Sequence, residues 1–446
     1  MTIKIINPRT EELIQELAPI SQFEIQAKIE RAQVDHLNWR LKPMAERLMF
    51  IQRLADALES EQDQMARSIH LEMGKNLEEA NAEISKSVYS CRMMSQKLAE
   101  WSKSEVVKDA SGQFEVVHEP LGVLLGIMPW NFPLWQVIRF AVPAIGLGNS
   151  VLLKHAPNVW GTAQLIERIF LKAGFPLGVY QDLPCGVEHV ESIIADERIR
   201  GVSLTGSRLA GQRVAEICGR YLKKIVLELG GSDPYIIFED ADIERAARIC
   251  AQSRLQNSGQ SCVSAKRFIV HAKAAFAFTS AFQRYLQTDL APLARQDLRE
   301  TLHTQVTKSV SEGAKLLMGG EIPKGPGYFY PPTILTNVKP GMTCFAEELF
   351  GPVASIIVGR DEDELIELAN QSNYGLGGAI FSADVNRAYS IGQSRLNVGM
   401  CFINDMVRSN VEVPFGGVKD SGIGRELGRA GSLEFANTKL MFRAQS

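Results

Sequence analysis

Short apolar runs that alternate with helical stretches are the feature that most limits the fold of this chain. Between residues 122 and 228 the runs are GVLLGI, SVLLK, GVSLTG and KIVLEL, separated by amphipathic segments such as 163–173 and 209–219. Because parallel strands need a crossover connection, usually a helix, this alternation predicts βαβ units and a parallel sheet covered on both faces. A second series follows Gly230, with YIIF, KRFIVH, VASIIVG, GGAIFS and MCFIN. The sequence therefore predicts two α/β domains.

Two segments stand outside both series. Residues 104–118, which include FEVVH, and the C-terminal LEFANTKLMFRA have the pattern of isolated strands. Such strands need partners, and an intersubunit sheet is one way to pair their edges. Residues 21–104 carry apolar residues three and four apart, which is typical of helices, and contain no catalytic signal.

Composition narrows the class of partner. The 446 residues have a net charge of −3 and no block of like charges, which favours small molecules over nucleic acid. The N-terminal MTIKIINPRTEEL has neither an apolar signal core nor an Arg/Ser-rich presequence, and no apolar run reaches membrane-spanning length, so we expect a cytoplasmic protein without membrane contact. Seven cysteines and seven histidines are scattered without CxxC or HExxH spacing, so we expect reduced thiols and no metal site.

Cys262 is the candidate nucleophile. It ends the loop NSGQSC at 257–262, between a helical stretch that ends near Gln256 and the strand KRFIVH. A lone cysteine is more often a small buried hydrophobic residue. Here Ser, Gly and Gln beside the thiol leave backbone N–H groups free to stabilise a thiolate and then an oxyanion. If Cys262 is the nucleophile, the site should lower the thiol pKa from its ordinary value of about 8.5.

Two other motifs carry a polar side chain close to a turn. Glu228 precedes Leu229-Gly230-Gly231 at the end of an apolar strand, and it is either a solvated strand end or a general base that activates water. Asn131 lies between the prolines of PWNFP, just before a helix. It is either a structural amide or a donor aimed at a reacting carbonyl.

These three segments, together with EELFGP at 347–352 and PFGG at 414–417, strongly resemble the aldehyde dehydrogenase superfamily in order and spacing over nearly the whole chain. The resemblance implies a Rossmann-like NAD(P)-binding domain at 1–103 and 119–229 and a second α/β catalytic domain at 230–430. It also implies a small β oligomerisation arm at 104–118 and 431–446. A homodimer or homotetramer is the expected assembly.

Residue by residue, the resemblance implies that Cys262 is the nucleophile and Glu228 the general base. Asn131 and the backbone N–H of Cys262 would form the oxyanion hole. An aldehyde would add to the thiolate as a thiohemiacetal and lose hydride to the nicotinamide. Water activated by Glu228 would then hydrolyse the thioester.

For the cofactor, GIGRELG at 422–428 follows no apolar strand and has the wrong glycine spacing for a dinucleotide fingerprint. Gly206 and Ser207 instead lead from a strand into a helix, where N–H groups suit a pyrophosphate, although an ordinary helix cap also explains them. Pro157 stands where many NAD-preferring relatives carry a Glu that repels a 2′-phosphate, so NAD and NADP both remain open. The resemblance implies further cofactor contacts from Trp130, Lys154, Leu229, Glu348 and Phe350.

Trp135 and Arg139 lie four apart and share one helix face. Arg139 is either a surface residue or, by resemblance, the Arg that succinate-semialdehyde dehydrogenases use against the distal carboxylate of the substrate. LKHAPN and LELGGSDP resemble one bacterial branch of that group, which makes succinate semialdehyde the leading substrate. Another branch has a second Arg where this chain has Gln256, and Arg408 is the candidate for the missing charge.

Three alternatives remain. One is a broader dehydrogenase for aliphatic or other ω-carboxy aldehydes, and another is an acylating dehydrogenase that passes the thioester to coenzyme A or reduces an acyl phosphate. The third is a non-catalytic binding or structural relative. Glu228 favours hydrolysis over acylation, and the presence of Cys262, Glu228 and Asn131 favours catalysis.

Overall fold

A computed structural model describes residues 2–445, and its N-terminal part is mostly helical. A capping box starts the first helix, because Ser21 accepts from the Glu24 N–H while the Glu24 carboxylate accepts from the Ser21 N–H. Gly74 ends the third helix with a left-handed φ of 87°. The elements are β1 (Ile3–Ile6), β2 (Leu13–Leu17), α1 (Gln22–Trp39), α2 (Met44–Ser60), α3 (Gln62–Met73) and α4 (Leu77–Trp101).

The first α/β series forms a sheet whose first five strands are parallel, in the order β7-β6-β5-β8-β9. This order reverses between β5 and β8, which is where open α/β sheets bind ligands beyond the carboxyl ends of their strands. Two strands precede this series, β3 (Glu105–Asp109) and β4 (Gly112–Pro120). The elements of the series are β5 (Val123–Met128), α5 (Trp135–Leu147), β6 (Ser150–His155), α6 (Trp160–Lys172), β7 (Tyr180–Asp182), α7 (Val190–Ala195), β8 (Ile199–Thr205), α8 (Arg208–Arg220) and β9 (Lys224–Glu228).

The second series forms a seven-stranded sheet in the order β12-β13-β14-β11-β10-β16-β17, in which β12 alone runs antiparallel to its neighbour. The elements are β10 (Pro234–Ile237), α9 (Ile243–Leu255), β11 (Arg267–His271), α10 (Ala275–Tyr285), α11 (Gln296–Ser311), β12 (Lys315–Met318), β13 (Thr333–Thr336), α12 (Thr343–Ala346), β14 (Val353–Gly359), α13 (Glu362–Asn370), β15 (Tyr374–Gly375), β16 (Gly377–Phe381), α14 (Val385–Ser394) and β17 (Met400–Ile403).

The C-terminal segment returns to earlier parts of the chain with β18 (Val418–Lys419), β19 (Gly422–Ile423), α15 (Gly428–Ser432) and β20 (Ala436–Ala444). Strand β18 pairs with β15, and β19 pairs antiparallel with β9, which brings Gly422 opposite Glu228. The two segments that looked isolated pair with one another inside one chain, because β20, β4 and β3 form a three-stranded antiparallel sheet. The domain bounds given above stay a prediction.

The central strands are buried on both faces, as parallel sheets covered by helices require. Every residue of β6, β11 and β16 is buried. The predicted α/β class, with a Rossmann-like first sheet, is therefore confirmed. Within residues 2–445, none of the helices combines the length and the apolar character that crossing a bilayer demands.

Candidate active site

Two cavities meet at Cys262. One, called the inner cavity here, has a volume of about 220 Å³ and lies among α4, α5 and the loop before Cys262. The other, called the cleft, has a volume of about 360 Å³ and opens along the ends of β5, β8 and β9. Cys262 and Gln136 line both. A reacting carbon at Cys262 can therefore face one group in each cavity.

The cavities divide the sequence-predicted residues into two sets. All four residues predicted to bind substrate line the inner cavity, namely Trp135, Arg139, Gln256 and Arg408. Asn131 lines the cleft, together with six of the residues predicted to bind cofactor: Trp130, Gly206, Ser207, Leu229, Glu348 and Phe350. Lys154, Pro157 and Glu228 line neither cavity.

The loop before Cys262 has an unusual backbone. Asn257 and Ser258 have φ values of 55° and 54°, in the left-handed region that non-glycine residues rarely adopt, and Gly259 follows with 75°. A Cβ on Gly259 would lie 2.3 Å from the carbonyl carbon of Gly351, so only glycine fits there. This path turns the chain sharply after α9 and delivers Cys262 to the junction of the cavities.

Two buried cations hold that loop by its carbonyl groups. The Lys266 ammonium donates to the carbonyl oxygens of Ser261 at 3.1 Å and Cys262 at 2.9 Å. The Arg254 guanidinium, which is fully buried, donates to the Gly259 carbonyl at 2.6 Å and to another carbonyl beside Lys266. Arg254 therefore fixes the backbone of the nucleophile loop through hydrogen bonds to its carbonyl groups. Neither role was predicted, because the sequence does not tell which backbone groups a buried cation will meet.

Burial raises the pKa of the Cys262 thiol to about 12, and the charges of Arg139 and Lys266 only partly offset it. The expectation that this site lowers the pKa is therefore wrong for the observed arrangement. The physical reason is that a thiolate loses more solvation here than two nearby cations return, since each of these cations is already paired.

Asn131 follows β5 and is buried at the wall of the cleft. The side-chain Nδ2 of Asn131 donates to the Gln260 backbone carbonyl at 3.1 Å. The backbone carbonyl of Asn131 accepts from Asn257 Nδ2 at 2.9 Å. One amide hydrogen of Asn131 therefore remains beyond the bond to Gln260. The backbone N–H of Cys262 donates to no acceptor within residues 2–445. Asn131 and Cys262 line the same cleft, so both donors belong to its wall.

Glu228 lies away from both cavities in a buried cluster of charges. Its two carboxyl oxygens are buried without a hydrogen-bond partner, and Oε1 packs against Gly416 of the PFGG motif. Burial and the neighbouring Glu426 raise the pKa of Glu228 well above its ordinary value, while Arg139 and Arg425 oppose the shift. This environment therefore disfavours the carboxylate form of Glu228.

Arg139 is paired inside the protein. Its guanidinium forms a buried ion pair with Glu426, donates to Thr205 Oγ1 at 3.1 Å and lies 4.9 Å from the centre of the Phe415 ring. Glu426 belongs to the segment 422–428, whose glycine spacing does not fit a nucleotide motif. That segment supplies a counter-ion instead, and only the pairing of β19 with β9 brings it to Arg139.

Glu348 is held at the mouth of the cleft. Its Oε1 accepts from the Gly231 N–H at 2.9 Å and lies 3.5 Å from Lys266 Nζ. A Cβ on Gly230 would lie 2.2 Å from Glu348 Oε2. The glycines after Leu229 therefore allow this carboxylate to approach the backbone closely.

Aromatic rings and a helix start form the rest of the cleft. Trp130 and Phe350 meet edge to face with ring centroids 5.8 Å apart. Ser207 caps α8 by accepting from the Ala210 N–H at 3.3 Å, so the helix-cap explanation holds while Ser207 also lines the cleft. A helix N-terminus at this place suits an anionic group.

Lys154 lies near the end of β6 and Pro157 just after it, outside the cleft itself. Lys154 is the penultimate residue of β6; its side chain is buried, and burial lowers its pKa. Pro157 is exposed and begins a short turn that also contains Asn158, whose amide nitrogen and oxygen are both buried without a partner. Unpaired buried polar atoms at this edge suit a polar ligand.

The N-terminal helix α4 contributes residues that sequence reasoning missed. Glu83 Oε1 accepts from the backbone N–H groups of Leu134 and Trp135 at 2.9 and 3.0 Å, which caps α5 from another part of the chain. Its other oxygen accepts from Lys75 at 2.5 Å. Lys86 also lines the inner cavity. The helical periodicity of residues 21–104 gave no sign of this. In the described part of the chain, no three His, Cys, Asp or Glu side chains come together as metal ligands.

Comparisons with known proteins find a matching family model, similar sequences and similar structures. A family model described as "Aldehyde dehydrogenase family" matches residues 1–441. The chain is 42% identical to a probable NADP⁺-dependent succinate-semialdehyde dehydrogenase of Synechocystis over all of both chains. It is 43% identical to an NAD(P)⁺-dependent succinate semialdehyde dehydrogenase of Escherichia coli, over 98% of this chain and 97% of that one. A crystal structure of succinic semialdehyde dehydrogenase from Streptococcus pyogenes with NADP⁺ superposes with a TM-score of 0.96 at 35% identity, over 99% of this chain and 100% of the other.

Proposed function

The chain belongs to the aldehyde dehydrogenase family, and we propose that it oxidises succinate semialdehyde to succinate with a nicotinamide dinucleotide. The observation that carries the substrate proposal is the inner cavity. Cys262 lies at one end, and the basic side chains of Lys86, Arg139 and Arg408 line the same space. Its volume of about 220 Å³ is below the range of roughly 300–1,000 Å³ typical of drug-sized ligands, so it suits a small anionic aldehyde. Two relatives named for succinate semialdehyde support the choice.

In the proposed reaction, the Cys262 sulfur attacks the aldehyde carbon and forms a thiohemiacetal. Asn131 Nδ2 and the Cys262 backbone N–H donate to the oxygen as it becomes negative, which lowers the barrier to attack. The cations at Arg139 and Lys266 favour the thiolate over the thiol, although burial opposes it. Positioning by the left-handed turn at Asn257 and Ser258 keeps the sulfur in one place.

The general base of the second half-reaction is Glu228. As a carboxylate it removes a proton from water, and that water hydrolyses the Cys262 thioester to release the acid. In the observed arrangement Glu228 lies beside Glu426 and Gly416 rather than in a cavity. The proposed step therefore requires its side chain to rotate away from Glu426 toward Cys262. That rotation separates two acidic groups and favours ionisation of Glu228.

The cleft suits the cofactor. Trp130, Leu229 and Phe350 supply apolar walls, Gly206 and Ser207 supply the helix start, and Glu348 supplies a carboxylate for ribose hydroxyls. A nicotinamide held there would supply the hydride acceptor: hydride would leave the thiohemiacetal carbon, and the Cys262 thioester would remain.

We infer that both cofactors are accepted and that NADP is favoured. Pro157 puts no carboxylate against a 2′-phosphate, and Lys154 together with the unpaired amide of Asn158 offers it donors. The relatives printed as NADP⁺- or NAD(P)⁺-dependent support this.

A second copy of this chain is the proposed partner, in a homodimer or homotetramer. Strands β3 and β20 are the outer edges of the three-stranded sheet. Their exposed apolar side chains include Val107 at 63% and Leu440 at 61%. An assembly would cover them, and light scattering measures its mass. A cytoplasmic location and the predicted domain bounds stay predictions.

A steady-state panel tests the substrate and cofactor proposals. Succinate semialdehyde, glutarate semialdehyde and butyraldehyde are each measured with NAD and with NADP, without coenzyme A or phosphate. We expect the highest kcat/KM with succinate semialdehyde and NADP. Equal kcat/KM for butyraldehyde would favour a broad aliphatic dehydrogenase, and a requirement for coenzyme A or phosphate would favour an acylating enzyme. If none of these aldehydes gives turnover that is sensitive to iodoacetamide, a non-catalytic relative is favoured.

A further inference from the structure

The basic residues of the inner cavity differ in whether they already have an acidic partner. Arg139 is paired with the buried Glu426. Arg408 is paired with Asp405 at 2.7 Å, and its side chain is 54% exposed. Each of these guanidiniums already has a carboxylate to bind. A substrate carboxylate must displace that partner before it can take its place.

Lys86 is different. Within residues 2–445 its ammonium forms no ion pair with a carboxylate. The carboxylate whose charge acts on Lys86 is that of Glu83, which is bound instead by Lys75 and by the backbone N–H groups at the start of α5. Lys86 Nζ donates to the carbonyl oxygen of Ser409 at 3.2 Å and to its hydroxyl at 2.6 Å. An ammonium has three N–H donors, so one remains for a ligand in the cavity.

The surroundings of Lys86 fix its position and leave its charge uncompensated. Nζ lies 4.5 Å from the centre of the Trp135 ring, and the two bonds to Ser409 hold it from the other side. Burial, and after it the charge of Arg139, lowers the pKa of Lys86 to about 8. A carboxylate placed beside Lys86 would supply a negative partner and favour the charged ammonium again.

We propose that Lys86 is the direct ligand of the distal carboxylate of the substrate, with Arg139 remaining on Glu426 as a more distant positive charge. This inference rests on the proposed function, and it names the residue of the inner cavity that selects a carboxylate-bearing aldehyde. It differs from the sequence-based assignment of that carboxylate to Arg139, which stays a prediction. Ser409 acts as a positioning residue because it orients the ammonium.

The test compares succinate semialdehyde with butyraldehyde, which has four carbons and no carboxylate. In Lys86→Met we expect the ratio of the two kcat/KM values to fall about 10- to 100-fold, mainly through KM, as for a lost hydrogen bond to a charged group. Lys86→Arg keeps the charge and should recover part of the ratio. The matched control is Lys97→Met on the same helix, because the Lys97 side chain is 45% exposed and pairs with the exposed Glu100 at 3.7 Å. That control should leave the ratio unchanged.

The outcomes separate the two proposals. If the native enzyme has no preference for succinate semialdehyde over butyraldehyde, the substrate proposal fails and the inference about Lys86 fails with it. If the native enzyme has the preference and Lys86→Met keeps it, only the inference fails. Loss of preference in Arg139→Leu with retention in Lys86→Met would also overturn it, in favour of Arg139. A melting temperature near that of the native enzyme verifies that each variant is folded.

Discussion

Replacement of Glu426 by glutamine removes the negative partner of Arg139 while it keeps the size of the side chain. Both groups are buried, with 4% and 3% of their surface exposed. Breaking a buried ion pair by removing one partner costs about 3–5 kcal/mol, because the remaining charge has lost its solvation without compensation. Arg139 would keep its contacts with Thr205 Oγ1 and the Phe415 ring. Neither carries a negative charge.

One neighbour reduces the loss. Glu228 faces the same guanidinium, and Glu426 is the second cause of its raised pKa. Without the charge at position 426, Glu228 can ionise and pair with Arg139. We therefore expect a cost near the lower bound, about 3 kcal/mol. At about 2.1 cal/mol/K per residue, a chain of 446 residues has an unfolding entropy near 0.9 kcal/mol/K, which converts this cost to about 3 °C in melting temperature.

The assay is differential scanning calorimetry at neutral pH, with Glu216→Gln as control. Glu216 pairs with Arg220 at 3.3 Å, but both side chains are more than half exposed, so its loss should shift the melting temperature by about 1 °C or less. If Glu426→Gln melts together with this control, the pair does not stabilise the buried cluster, and the charge assignment of Arg139, Glu426 and Glu228 is wrong.

Four further predictions concern Cys262 and the groups that act with it. Glu228→Gln should produce one equivalent of reduced cofactor per site and then slow by about 100-fold or more, since the thioester forms but is not hydrolysed; steady turnover at the native rate would remove Glu228 as the base. The pKa of Glu228 is raised in the folded state, so ionisation of Glu228 lowers the free energy of unfolding as pH rises above its unfolded pKa of about 4.3. Glu228→Gln lacks this contribution, so its melting temperature should fall less with rising pH. Asn131→Ala should lower kcat about 100- to 1,000-fold with little change in KM, as for loss of one oxyanion donor, whereas the exposed Asn38→Ala serves as control and should not. Without cofactor, alkylation of Cys262 by iodoacetamide should rise about tenfold per pH unit between about pH 7 and 10, because the thiol pKa is about 12; mass spectrometry of the Cys262 peptide that finds a plateau near pH 8 would contradict the burial argument.

Local sequence largely determined the first sheet and the location of the candidate site at its edge. Apolar runs such as SVLLK have the length of strands, and the amphipathic segments between them have the length of helices, which predicts βαβ units. Parallel strands in such units bring their carboxyl ends to one edge of the sheet. Motifs placed at strand ends, such as PWNFP and LELGG, therefore had to meet at that edge. The resemblance to aldehyde dehydrogenases, which rests on those motifs, is confirmed by the comparisons.

The tertiary structure alone decided which charges meet and which remain uncompensated. Periodicity is a local property, but an ion pair joins whatever side chains packing brings together, as with Arg139 and Glu426 from distant segments. The thiol pKa of Cys262 was mispredicted for the same reason, since burial is set by the whole fold rather than by neighbouring residues. Lys86 belongs to a helix with no chemical motif of its own, and it reached the inner cavity only because α4 packs against α5.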